Sequence, residues 1–394
     1  MTTGGFSSKR LARVRELLER HVESGFVPGA VGVLARRGEV HVEATGALAF
    51  EGAGSSAPMA ADTICRLASM TKPIVAACAM TLVDDCTLRL DDPVDDLLPE
   101  LADMTVLANP HGPLDDTVAA QRPITLRDLL TYTSGIGVIP TKPGRVPIVD
   151  AVNALDYSSL DEWMRGLGKL PLSHQPGEQW MYDTASNVTG VLIARATGMS
   201  FGDALRERIC DPLGMKDTGF SVSGEDIARL ATAYQRDDAA TGEPVVDDGP
   251  DGRWSRPPAF ESGGGGLVTT AQDYFAFAST LLAGGSHRGR RVLTRPSVTL
   301  MTTDHLTSAQ KAVPGFWLGN ELGWGFGMSV LTRPSRLGPS VGSYGWSGFY
   351  GTAWYNDPAE DLTAIFFMQR GHTGDQRLPM WHDLWTAVYQ AIDD

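Results

Sequence analysis

The run with the clearest chemical content in this 394-residue chain is Ser69-Met70-Thr71-Lys72, which opens the apolar stretch Ile74, Val75, Ala77, Cys78 and Leu82. On a helix, residues three apart share a face, so the Lys72 stem can lie beside the Ser69 hydroxyl. A serine at a helix start also carries its own N–H at the positive end of the dipole, where a developing oxyanion is stabilised. Pro73 requires that the helix has barely begun, because proline is tolerated in a first turn and disruptive further in. A hydroxyl is a poor nucleophile at neutral pH, and an ammonium cannot take its proton. Lys72 must either be held neutral by desolvation and neighbouring positive charge, or stay charged and depress the pKa of a second base. The pattern has a bland alternative, an N-cap serine followed by a solvated lysine. Ser308-Ala309-Gln310-Lys311 matches it too, with no apolar helix behind it.

Other chemistry finds less support. There is no Gly-x-Ser-x-Gly elbow for a Ser-His-Asp triad, although His372 follows a predicted strand end. No His-Glu-x-x-His or clustered Asp/His pattern suggests a metal, and Gly263 to Gly266 lack the Lys-Ser/Thr of a P-loop. No cofactor is expected. The glycine run reads instead as backbone that approaches a neighbour closely, at a cleft wall.

The elements that must position Ser69 follow from periodicity. Leu11, Val14, Leu17, Leu18 and Val22 are spaced as an amphipathic helix between Met1 and Pro28. Ala30 to Ala35 and Glu39 to Ala44 form a hairpin joined through Arg36, Arg37 and Gly38. Near the other end, Thr352 to Tyr355 and Leu362 to Met368 flank a turn at Asn356-Asp357-Pro358, and Leu378 to Ile392 closes the chain as a helix. Helical runs lie between: Ile74 to Val83, Leu126 to Thr131, Asp161 to Leu167, Ala185 to Ala196 and Phe201 to Ile209. Strands at both ends with helices between predict an α/β fold, an antiparallel sheet flanked by the terminal helices with a mostly helical insertion. The expected division is a discontinuous sheet domain over 1–80 and 225–394, a helical domain over 81–224, and the site in the cleft between them. Asp237 to Pro258, rich in Asp, Gly and Pro, is expected as a surface excursion.

A net charge of −14 and a pI near 5.0 repel phosphate backbones and anionic lipid, so neither nucleic acid nor membrane is an expected partner. No stretch reaches the roughly 18 apolar residues of a membrane span. The start lacks a signal-type apolar run, so the cytoplasm is the expected location. Cys65, Cys78, Cys86 and Cys210 are read as reduced core thiols.

Cys65-Arg66-Leu67-Ala68-Ser69-Met70-Thr71-Lys72-Pro73 resembles the nucleophile motif of the serine β-lactamase and penicillin-binding-protein superfamily, most closely the branch holding class C β-lactamases and family VIII carboxylesterases. The likeness continues in order through Ile124 to Gly135, Pro176-Gly177-Glu178-Gln179-Trp180-Met181-Tyr182, Asp211 to Met215 and Gly264 to Thr270, spanning about Val27 to Phe367. In such families a Tyr is followed two residues later by Asn. Here Tyr182 fits and Thr184 departs, which puts the family's β-lactam side-chain contact in doubt. The resemblance implies that Tyr182 is the general base, its phenolate favoured by Lys72 and taking the Ser69 proton. The matching segment for the Lys-Thr-Gly motif is Trp346-Ser347-Gly348, with tryptophan in place of the lysine that would pair with a β-lactam carboxylate. By the same resemblance Phe349 N–H joins Ser69 N–H as the oxyanion hole, and Trp346, Ser347, Gly348 and Thr184 bind substrate.

The expected function is a serine carboxylesterase acting on small or short-chain esters through a Ser69 acyl-enzyme. Acyl transfer from the same intermediate is the first alternative, and D-peptide or amide hydrolysis with weak β-lactam cleavage the second. A catalytically silent binding module on the same fold is the alternative of another class. Trp180, Trp317, Trp324 and Tyr350 are candidate pocket aromatics.

Overall fold

A computed structural model describes residues 2–137, 146–236, 243–312, 318–334, 337–371 and 377–394; His372 and Trp317 lie outside them. The centre is a seven-stranded, wholly antiparallel sheet drawn from both ends of the chain. Its strands are β1 (Gly29–Arg36), β2 (Glu39–Gly46), β3 (Leu322–Trp324), β4 (Ser329–Leu331), β5 (Tyr344–Gly348), β6 (Thr352–Asp357) and β7 (Leu362–Phe367). They run in the order β3-β4-β5-β6-β7-β1-β2, so the last strand is stitched to the first, with Leu362 opposite Arg36 and Phe367 opposite Val31. The turn between β6 and β7 falls one step later than the composition suggested. Asn356 and Asp357 still pair in the sheet with Thr363 and Leu362, and Asp361 takes the positive φ of 48° that the turn needs.

β1 is buried along its whole length because both faces of the sheet are covered, which is why it reads as a continuous apolar run. On one face lie α1 (Ser8–Glu23) and the closing helix α7 (Arg377–Gln390), which press Leu11, Val14, Leu18, Trp381, Leu384 and Val388 together. The other face meets α6 (Ala271–Leu282), and the apolar residues of α2 (Thr71–Asp84), α3 (Leu126–Thr131), α4 (Leu160–Leu167) and α5 (Thr184–Thr197) join it in a second, larger core. α2 is buried on every side from Thr71 to Leu82, as expected of a helix apolar all round. The run expected as one helix from Phe201 to Ile209 is instead a short α-helix, Phe201–Leu205, continued by a π-helical turn, Arg206–Cys210.

Among the described residues no helix is long and apolar enough to cross a membrane, and no group of His, Cys, Asp and Glu is arranged to hold a metal ion. All four cysteines are free. Cys65, Cys78 and Cys210 are buried, and burial pushes their thiols up to about 12. Cys86 corrects the expectation of a core thiol: it is exposed in the turn after α2, with a φ of 64°.

Candidate active site

The site is assembled where α2 and α5 begin. Ser69 occupies a one-turn 3₁₀ helix, Ala68–Met70, that leads into α2. Pro73 therefore falls in the first turn, where its missing N–H costs nothing. Ala68, just ahead of the nucleophile, takes a φ of 47°, a left-handed setting that non-glycine residues seldom adopt. The turn is clamped from the sheet: Thr352 Oγ1 donates to the Leu67 carbonyl at 3.0 Å. Gly348 passes so close to that oxygen that a Cβ would come within 2.0 Å of it. A side chain at Gly348 would push the end of β5 away from Ser69.

Lys72 is buried, and its Nζ lies 3.0 Å from Ser69 Oγ. The same nitrogen donates to the Gly264 carbonyl at 2.5 Å and pairs with Asp183 Oδ1 at 2.6 Å. It sits 4.7 Å from the centre of the Tyr182 ring. Burial works against the Lys72 ammonium, but the Asp183 carboxylate and the Tyr182 oxygen outweigh it and raise its pKa above the ordinary lysine value.

Tyr182 is buried among aromatic rings. Tyr132, Trp180, Trp324 and Trp346 stand 5.6 to 6.2 Å from it, centre to centre. The Trp346 indole N–H donates to the Tyr182 hydroxyl at 2.7 Å. Thus the residue that stands where the related motif has a lysine is in contact with the phenol. Trp180 and Trp324, candidate pocket aromatics, are buried in this cluster, whereas Tyr350 does line the pocket.

Between Tyr182 and α5 the backbone makes a γ-turn of unusual hand. Asp183 has φ 81° and ψ −71°, and Thr184 N–H donates back to the Tyr182 carbonyl at 3.2 Å. Such strain costs about 1–3 kcal/mol and concentrates at functional sites. The Gly263–Gly266 run closes the far side. A Cβ on Gly263 would strike the Ser186 carbonyl at 2.3 Å, and Gly264 N–H donates to Asn187 Oδ1 at 2.8 Å. Gly263 is required because its backbone abuts α5 directly.

A cavity of about 430 Å³ opens over Ser69, walled by Asp183, Phe220, Arg253, Trp254, Phe260, Gly264 to Gly266, Phe349 and Tyr350. Trp346, Ser347, Gly348 and Thr184 are not part of that wall. Thr184 is buried under the start of α5, and Ser347 is half-buried on β5. Among the described residues, neither the Ser69 nor the Phe349 N–H donates to a protein acceptor.

One wall comes from the segment expected as a surface excursion. Its described part forms a strand, Pro244–Asp248, and a 3₁₀ turn, Arg253–Ser255. Arg66, three residues ahead of Ser69, is fully buried and needs a carboxylate; Asp248 supplies one, with Nε to Oδ2 at 2.9 Å. Arg66 and Arg253 lie on the Trp254 ring at 5.2 and 5.0 Å. Arg253 is itself held by Asp247 at 2.7 Å and Asp248 at 3.3 Å. The two guanidiniums are thus matched by two carboxylates. Burial and the Asp247 hydrogen bond also raise the Tyr350 phenol well above its usual range.

Composition had singled out none of Asp183, Asn187, Arg253 or Trp254. Asp183 had one available signal, its place between the phenol and a helix start. The lookalike Ser308-x-x-Lys311 is a short surface helix capped by Thr307, and its lysine pairs with Asp304.

Comparison with known proteins finds relatives that match along nearly the whole chain. "Protein Rv1367c" of Mycobacterium tuberculosis is 38% identical over 91% of this chain and 88% of its own length. "Esterase EstB" of Burkholderia gladioli is 32% identical over 96% and 95%. The solved structure of "EstCE1, a hydrolase with promiscuous acyltransferase activity" superposes with a TM-score of 0.79 at 26% identity, covering 97% of this chain and 99% of that one. The family model described as Beta-lactamase matches residues 14–388, and the chain belongs to that family.

Proposed function

We propose that the protein is a serine carboxylesterase of the family VIII type that hydrolyses small or short-chain neutral esters through an acyl-enzyme on Ser69. In the first half-reaction Tyr182, as phenolate, takes the Ser69 proton while Oγ bonds to the ester carbonyl carbon. The carbonyl oxygen becomes an oxyanion facing the N–H groups of Ser69 and Phe349. Collapse breaks the bond to the alcohol, which leaves with the proton from Tyr182. In the second half-reaction water gives a proton to Tyr182 and attacks the acyl carbon, and Ser69 leaves and recovers its proton. Lys72 stays charged throughout and supports the phenolate.

The observation that carries this reading is the meeting of Ser69 Oγ, Lys72 Nζ and the Tyr182 phenol beneath one cavity. The neutral class is supported by the five aromatic side chains in the lining, Phe220, Trp254, Phe260, Phe349 and Tyr350, and by the charges, since Arg253 is already committed to two carboxylates. Acyl transfer is a second reading, favoured by EstCE1, itself described as a hydrolase with promiscuous acyltransferase activity. It differs only in whether an alcohol or water reaches the acyl-enzyme.

p-Nitrophenyl butyrate should give an initial burst, and intact-mass analysis followed by peptide mapping should find the butyryl adduct on Ser69. Labelling at another serine would overturn the assignment. Running an ester, a D-amino acid amide and nitrocefin side by side, with and without added alcohol, ranks the competing acyl-transfer reactions.

A further inference from the structure

We infer that Asp183 is a positioning residue that holds Lys72 in its charged form, leaving the proton of Ser69 to Tyr182. The inference rests on the esterase reading above and adds a residue to it.

The first ground is the polar surroundings of Lys72 Nζ. Ser69 Oγ lies at 3.0 Å, the Gly264 carbonyl at 2.5 Å and Asp183 Oδ1 at 2.6 Å, and the Tyr182 oxygen hydrogen-bonds to the same nitrogen. An ammonium meets these oxygens with three N–H groups and a charge. A neutral amine could accept from the Ser69 or Tyr182 hydroxyl, but it would leave the Asp183 carboxylate against an uncharged partner. The Gly264 carbonyl is not free to turn away, because the adjoining N–H is tied to Asn187, one turn beyond Asp183 on α5.

The second ground is the backbone. Asp183 reaches Lys72 from a strained γ-turn that directly follows Tyr182. Strain of this kind persists where the surrounding structure imposes it. The carboxylate is about two-fifths exposed, so it keeps part of its hydration while binding the buried ammonium.

The charged and titratable groups facing the ammonium are few. Asp183 and Tyr182 come from the start of α5, Ser69 from the 3₁₀ turn, and Tyr132 stands behind Tyr182. Arg253 shares the cavity wall but is bound to Asp247 and Asp248. Removing the carboxylate therefore leaves burial as the dominant influence on Lys72, and burial favours the neutral amine.

The test is the pH dependence of kcat/KM for p-nitrophenyl butyrate from about pH 6 to about 11.5, in wild type, Asp183→Asn, Asp183→Gly and Asp183→Glu. Rates are taken per competent site, counted from the burst. Asn removes the charge at constant shape, and Gly removes it while relieving the positive φ, so a folding defect in one variant does not leave the other unread. Lys72 deprotonation should end activity on the alkaline side, and in both neutral variants that limb should move down by about one to three pH units. Asp183→Glu should restore it in part. A limb that stays at the wild-type position in the neutral variants, whatever their absolute rate, overturns the inference. A wild-type enzyme without a Ser69 burst would instead remove the esterase reading, so the two failures are distinguishable.

Discussion

Trp346→Phe isolates one hydrogen bond. The phenyl ring keeps apolar contact with Trp324, 4.7 Å away centre to centre, and with Tyr182 at 5.6 Å, but it has no N–H to replace the 2.7 Å donor to the phenol oxygen. A hydrogen bond to a neutral group contributes about 0.5–1.5 kcal/mol and one to a charged group about 1.5–3 kcal/mol. The difference, about 1–1.5 kcal/mol, is the preference of the indole for phenolate over phenol. At about 1.4 kcal/mol per factor of ten, kcat/KM through the phenolate falls roughly 5- to 12-fold. The assay is kcat/KM for p-nitrophenyl butyrate, with a thermal melt on the same samples. The loss should appear in kcat/KM while the melting temperature stays close to that of the wild type. A loss that comes with a lowered melting temperature would show that the indole acts through packing. An unchanged kcat/KM would refute the claim that its N–H supports the base.

Tyr182→Phe should lower kcat on the order of 10²-fold or more, the usual contribution of a general base, while an ester analogue still binds; single-turnover kinetics read it directly. Phe349→Pro deletes an N–H and should cost about 10²–10³-fold in kcat, whereas Phe349→Ala keeps the N–H, removes a ring 42% exposed at the cavity, and should act mainly on KM. If both variants behave alike, Phe349 is a wall and not an oxyanion donor. Arg66→Met leaves the buried Asp248 without its main partner and should destabilise the fold by about 3–5 kcal/mol in urea unfolding.

Much of the fold was legible because burial writes a period into the chain. Leu11, Val14 and Leu18 sit on one helical face, and that face meets the sheet. The unbroken apolar run of β1 announces a strand covered on both sides. Pairings across long separations leave no such period. Arg66 and Asp248 are 182 residues apart, and nothing local marks Asp248 as buried. An Asp/Gly/Pro-rich segment looks solvated unless the buried guanidinium waiting for it is known. Cys86 escaped for the opposite reason: residue type favoured burial, while the turn after α2 brought the side chain out.

The same division runs through the candidate site. Ser69 and Lys72 are linked by helical spacing, which a sequence displays. The γ-turn at Asp183 is a matter of two dihedral angles, which it does not. Charge explains why that hidden residue and the visible tryptophan belong together. With Lys72 the one cation against the phenol among the described residues, and Asp183 beside it, the buried cluster has little positive charge to spare for a substrate carboxylate. A lysine at position 346 would stabilise the phenolate more strongly, but it would also add a charge to that cluster. An indole N–H supports the phenolate oxygen without one. On the proposed mechanism the base is therefore tuned by a neutral donor and a compensated cation, an arrangement that favours uncharged acyl groups because, among the described residues, no cationic side chain at the cavity is left without a carboxylate partner.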